Sequence, residues 1–193
     1  FTYAQSEATQ TNFNLQENTR RNYKAAGVWQ YSPKFKGFEP FKNMKFLSSP
    51  FLQLIKDFNF NPVPSNLSVR YELDRSFSKM TYRNANTDAQ NSVPNFQKFF
   101  IFNRTYNVRW ALAKSLSIDY ASRINAIIDE PDGDLDNQDS LDVVISNLKK
   151  FGRTKTYDQN ISANYTVPLD KFPLTNWLGA EYRYNVGYNW KAG

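Results

Sequence analysis

The chain has 193 residues with 24 Lys and Arg against 18 Asp and Glu, a formal charge of +6. It contains neither His nor Cys, which excludes Ser-His-Asp and Cys-His catalysis, His- or Cys-ligated metal centres and disulfides. Its mean hydropathy of −0.66, with no long apolar run, excludes a transmembrane helix but not a transmembrane β-barrel, whose strands alternate.

Aromatic residues make up 17% of the chain, mostly 16 Phe and 12 Tyr, and both types favour strands. The basic residues are scattered among acidic ones, so the pI near 9.4 reads as a mixed-sign surface rather than a nucleic-acid footprint. The start at Phe1 and the end at Gly193, just after a strand-like stretch, are those expected of processing or of excision from a longer protein.

In chain order, residues 1–11 alternate weakly, and Tyr23, Ala25, Trp29 and Tyr31 suggest a strand over 20–32. A Pro-rich connection over 32–64 follows, with a helix expected to start at Pro50 and to carry Phe51, Leu54, Ile55 and Phe58 on one face. In the strand expected over 65–83, Leu67, Val69, Tyr71 and Leu73 oppose Ser68, Arg70, Glu72 and Asp74.

The strands over 98–112 and 116–129 read as a tight hairpin. Its turn Ala113-Lys114-Ser115 pairs Leu112 with Leu116, Trp110 with Ile118 and Val108 with Tyr120, so the apolar sets of both arms share a face.

Next comes an acidic loop with a helix, over 130–152. Ser140 is the expected N-cap of a helix carrying Leu141, Val144, Ile145 and Leu148, with Asp139 and Asp142 at its start, Lys149 and Lys150 at its end and Gly152 just beyond. The acidic run from Asp129 to Asp136 lacks the glycine position of an EF-hand and reads as a solvated loop, with calcium binding left open.

A strand over 153–167 and another over 177–191 complete seven. The last alternates from Leu178 to Trp190, with Tyr182, Tyr184 and Val186 facing away from Glu181, Arg183 and Asn185. That stretch, tilted about 45°, spans roughly 30 Å, a bilayer core. The fold class expected is therefore all-β, an antiparallel up-and-down transmembrane barrel segment with two short helices in its loops, residues 1–193 forming part of one barrel domain.

One face is assigned to lipid: Leu67, Val69, Tyr71, Val108, Trp110, Ile118, Tyr120, Tyr182, Tyr184 and Val186. The other is assigned to a hydrated lumen: Arg70, Glu72, Asp74, Arg109, Asp119, Arg123, Glu181, Arg183 and Asn185. Trp177, Trp190, Tyr188, Trp29 and Tyr31 lie where interfacial aromatic girdles would. The carboxylate pairs Glu72/Asp74 and Asp132/Asp134 have no nucleophile beside them, and lumen hydration or ion pairing with Arg70 and Arg75 is expected in place of acid–base work. Sequons at Asn66, Asn103, Asn160 and Asn164 fall on expected strands. No catalytic residue, cofactor or metal is assigned.

Several stretches carry a resemblance. They are Glu39-Pro40-Phe41, the run from Phe51 to Pro62, the one from Pro64 to Ser68, Leu73-Asp74-Arg75 and Tyr82-Arg83-Asn84. Ile128 to Pro131, Asn147 to Thr154, Pro173 to Trp177 and Tyr188 to Trp190 continue it in order. In these the chain resembles the SprA/Sov family, the outer-membrane translocon of the type IX secretion system in Bacteroidota. The acidic stretch from Asp132 to Asp139 departs from it.

The resemblance implies an arc of a barrel of about 36 strands, the rest contributed by the same chain. It further implies a protein-conducting channel that exports folded cargo bearing a C-terminal sorting domain, a PorV-type barrel partner, a plug protein, membrane lipid as surroundings and a link to gliding motility. The alternatives are a soluble β-sandwich that binds carbohydrate or protein, or another large outer-membrane barrel such as a nutrient receptor. Short turns are usually periplasmic. On that rule 113–115, 168–176 and the 32–64 connection lie inside, and 130–152 outside.

Overall fold

The computed structural model describes residues 1–44, 52–83, 93–171 and 174–193. The expected start of the first helix, Pro50 with Phe51, lies outside these residues, and what remains is one turn, α1, Gln53–Lys56.

Seven strands form a single antiparallel sheet in sequence order: β1 Thr2–Gln10, β2 Leu15–Tyr31, β3 Asn66–Tyr82, β4 Asn95–Ala113, β5 Leu116–Ile127, β6 Arg153–Val167 and β7 Ala180–Lys191. Every strand pairs with its sequence neighbours, the arrangement that period-two segments joined end to end produce most simply. The β1–β2 turn is tight because the Asn12 side chain accepts from the amides of Asn14 at 3.0 Å and Leu15 at 2.8 Å. That turn lets β2 begin at Leu15, earlier than alternation alone indicated.

The β4–β5 hairpin has Trp110 opposite Ile118 and Val108 opposite Tyr120, as expected. Leu112 does not pair with Leu116. Ala113 does, across a bulge between Ala111 and Ala113. The cause lies in the β2–β3 connection, where the Asn61 amide donates to Leu112 O at 2.8 Å and Asn61 Nδ2 to Ala111 O at 2.8 Å.

The sheet is sheared. The row of cross-strand partners that starts at Leu67, beside the first residue of β3, runs through Val108, Tyr120 and Ile161 to Val186. There it lies well inside β7, which begins at Ala180; at the other end β3 runs on to Tyr82 while β7 stops at Lys191. Both borders step the same way, as in sheets whose strands incline to the axis of a wall.

The β5–β6 connection contains α2, Gln138–Lys149. Its N-cap is Asn137 and not Ser140: the Asn137 side chain accepts from the Ser140 amide at 2.8 Å, which puts Ser140 inside the first turn. The helix ends where Phe151 and Gly152 both take left-handed backbone, φ 64° and 68°, with Gly152 N donating to Asn147 O at 2.9 Å.

This connection folds back over the sheet. Ile128, 1% exposed, and Val144 pack with Phe102, flanked by Leu73, Phe100, Leu135 and Leu148. That is the main buried cluster of the described residues, and it covers only part of one face. No second sheet lies against the first among those residues.

Candidate functional site

The functional feature is the sheet itself, because its two faces differ in chemistry. The register puts Leu67, Val69, Tyr71, Val108, Trp110, Ile118, Tyr120, Tyr182, Tyr184 and Val186 on one face. It puts Arg70, Glu72, Asp74, Arg109, Asp119, Arg123, Glu181, Arg183 and Asn185 on the other. Trp29 and Tyr31 extend the apolar face onto β2, their rings stacked with centroids 6.0 Å apart, and Tyr188 and Trp190 extend it on β7.

Away from α2, and from Trp110 at the other end where the β2–β3 connection is bonded, much of this apolar band is open. Trp29, Tyr31, Tyr71, Tyr182, Tyr184, Tyr188 and Trp190 all expose substantial ring surface. Trp177 sits in the β6–β7 connection, its indole donating to Leu174 O.

The polar face is laced with short-range pairs. Arg70 meets Glu72, Lys24 meets Asp74 at 3.0 Å, Arg183 meets Glu181 at 2.8 Å and Arg109 meets Asp119 at 3.5 Å. These are exposed pairs, each worth about 0–1 kcal/mol, so they keep the face wet rather than hold the sheet together. Between them run amide contacts: Asn125 Nδ2 donates to Asn103 Oδ1 at 2.7 Å, Ser76 Oγ to Asn22 Oδ1 at 2.8 Å, and Asn189 to Asp158. Arg123 lies directly across from Asp158.

One expected partner is elsewhere. Arg75 stands on the apolar face with Leu73 and Phe77, so it does not pair with Glu72 or Asp74. It pairs with Glu130 of the folded-back connection. Its neighbour Asp129 is held by Arg153 at 2.9 Å, and the guanidinium hydrogen bond lowers the Asp129 pKa below its ordinary value. Asp129, Glu130 and Asp134 of the run are therefore turned to separate partners, Asp134 Oδ1 accepting from the Leu135 amide. No group of three or more metal-ligating side chains converges among the described residues. Asp132 and Asp134 flank Gly133, whose φ of 80° makes a turn there.

At the opposite end of the sheet the β2–β3 connection is moored to the β4–β5 turn. Trp110 Nε1 donates to Asn61 O at 2.8 Å, Lys114 N to Asn59 Oδ1 at 2.6 Å, and Lys114 Nζ to Glu39 Oε1 at 2.6 Å. Lys171 of the β6–β7 connection reaches Asp57 at 2.9 Å. Hydrogen bonds from Lys114 and Lys42 lower the Glu39 pKa to about 2.

The sequence pattern missed Arg75 and Arg104 as members of the apolar face. The available signal was a break in alternation: a cation where Tyr71-x-Leu73-x and Phe102-x-x-x-Tyr106 call for an apolar residue. No protein-family model matches the chain, and a search of curated proteins found no match.

Proposed function

We propose that the chain is an arc of a transmembrane β-barrel wall in an outer membrane, its apolar band against lipid and its polar face against a water-filled lumen. The observation that carries this reading is the open aromatic band of a single sheet with no facing layer among the described residues. A β-sandwich would bury such a face under a second sheet. The shear of the sheet is that of inclined barrel strands, and the edges β1 and β7, each paired on one side only, are where the remainder of the wall attaches.

On this reading Leu67, Val69, Tyr71, Val108, Trp110, Ile118, Tyr120, Tyr182, Tyr184 and Val186 meet acyl chains. The resemblance to the SprA/Sov family extends the proposal to a channel that exports folded cargo proteins, with a PorV-type barrel and a plug protein as partners. The wall is then scaffold and not a catalyst.

The test is fractionation of cells expressing the intact protein, followed by protease treatment of the membranes. Outer-membrane recovery that needs detergent, with cleavage confined to 32–64 and 130–152, is the expected result. A product soluble without detergent would overturn the proposal. Cargo retained in the periplasm on deletion is the expected result for the secretion role.

A further inference from the structure

Arg104 lies on the apolar face, between Tyr71 of β3 and Ile124 of β5 in the register. It is only 9% exposed, and its Nε is buried without a hydrogen-bond partner. The guanidinium carbon sits 5.3 Å from the Phe102 ring centre and 5.0 Å from that of Phe151. Among the described residues it makes no hydrogen bond or ion pair, in contrast to Arg75 of β3 on the same face of the sheet, which has Glu130. Aromatic rings satisfy the faces of a guanidinium and leave its in-plane N–H donors unspent. A buried cation with unspent donors calls for an anion.

Its position says which anion. Arg104 stands at the seam between two parts of the apolar face. On one side Phe102, Ile128 and Val144 are sealed by the β5–β6 connection. On the other Tyr106 and Val108 stay partly exposed, as far as Trp110, whose indole is bonded to Asn61 of the β2–β3 connection. The border of an apolar band is the level at which lipid head groups meet a barrel.

We propose that Arg104 anchors a phosphate site, occupied by the phosphate of a membrane lipid whose acyl chains lie along Val69, Val108 and Tyr120. This rests on the lipid-facing reading of the band. Phosphate is the group a planar fork of donors matches in bidentate fashion. Phe151 is built into the site: a bulky residue in left-handed backbone, it stacks on Phe102 with centroids 6.2 Å apart, and the two rings stand side by side against the guanidinium.

The test is native mass spectrometry of the intact protein, extracted in detergent, delipidated and then mixed with phosphatidylglycerol, with an uncharged diacylglycerol or with inorganic phosphate. The wild type should hold the phospholipid, Arg104→Lys should hold it within a few-fold, and Arg104→Gln should lose it by at least tenfold. Equal retention in Arg104→Gln, checked to be folded by heat-modifiable mobility, would overturn the site. Equal retention of diacylglycerol would overturn the phosphate assignment. Binding of inorganic phosphate, lost in Arg104→Gln, with no phospholipid retained would overturn the lipid as source. A protein that needs no detergent would instead overturn the barrel reading, a result separable from all of these.

Discussion

Arg75 and Glu130, 55 residues apart, form a two-pronged pair: Nε to Oε1 at 2.5 Å and Nη2 to Oε2 at 3.0 Å. Only 4% of the Glu130 side chain and 19% of the Arg75 side chain remain exposed. The pair fastens the β5–β6 connection onto β3, and beside it Lys98 Nζ donates to Pro131 O at 2.5 Å.

Removing one partner leaves the other charge stranded in an apolar setting. Glu130→Ala is therefore expected to cost about 3–5 kcal/mol of local stability, whereas the double change Arg75→Met with Glu130→Leu should cost far less. Hydrogen exchange at the Ile128 amide, which donates to Phe100 O at 2.9 Å, reports the result. Equal loss of protection in both variants would refute the account.

Two glycines of the same connection make a matched contrast. A Cβ on Gly152, at φ +68°, would lie 2.6 Å from Ile127 O and 2.6 Å from Ile128 Cδ1; one on Gly133, at φ +80°, would meet nothing within 4 Å. Gly133→Ala should cost only the left-handed strain, about 1–2 kcal/mol. Gly152→Ala adds an overlap with backbone, about a further 1–3 kcal/mol. Thermal unfolding of the two variants should rank them in that order.

Glu39 offers a pH signature. Its pKa is depressed, so the anchoring it gives is complete above the unfolded value of about 4.3 and is lost as pH falls through about 2. The emission of Trp110, bonded to the same connection, should differ between wild type and Glu39→Gln with a step near pH 2. A step near the ordinary glutamate value would mean that Lys114 and Lys42 do not hold it in solution.

Adjacent residues of β7 separate the two faces. At mid-band, Val186→Arg should cost about 2–4 kcal/mol of barrel stability, and Asn185→Arg close to nothing. Urea titration of the detergent- or lipid-embedded protein measures both, and equal costs would remove the distinction between lipid and lumen.

The strand order and the register of the β4–β5 hairpin were legible in the sequence because both depend on local alternation. Trp110 meets Ile118 for the same reason that Tyr182 and Tyr184 share a face. The Leu112 bulge was not legible, since it answers to Asn61, far away in sequence. Nor was the helix cap: Asn137, Asp139 and Ser140 all carry side chains able to cap, and only the path of the chain selects Asn137. The fold-back over Phe102 escaped for the same reason as Arg75, because a cation on an apolar face declares its partner only in three dimensions. The seam at Arg104 was visible merely as a gap in the pattern.

In the barrel wall proposed above, the shear of the sheet would also set how much circumference the chain supplies. Upright strands about 4.8 Å apart take up only that width each, but strands leaning near 40° take up about 6.3 Å each. Seven of them would then furnish about 44 Å of perimeter in place of about 34 Å. Leaning therefore widens whatever opening the strands enclose by about a third, with no residue added.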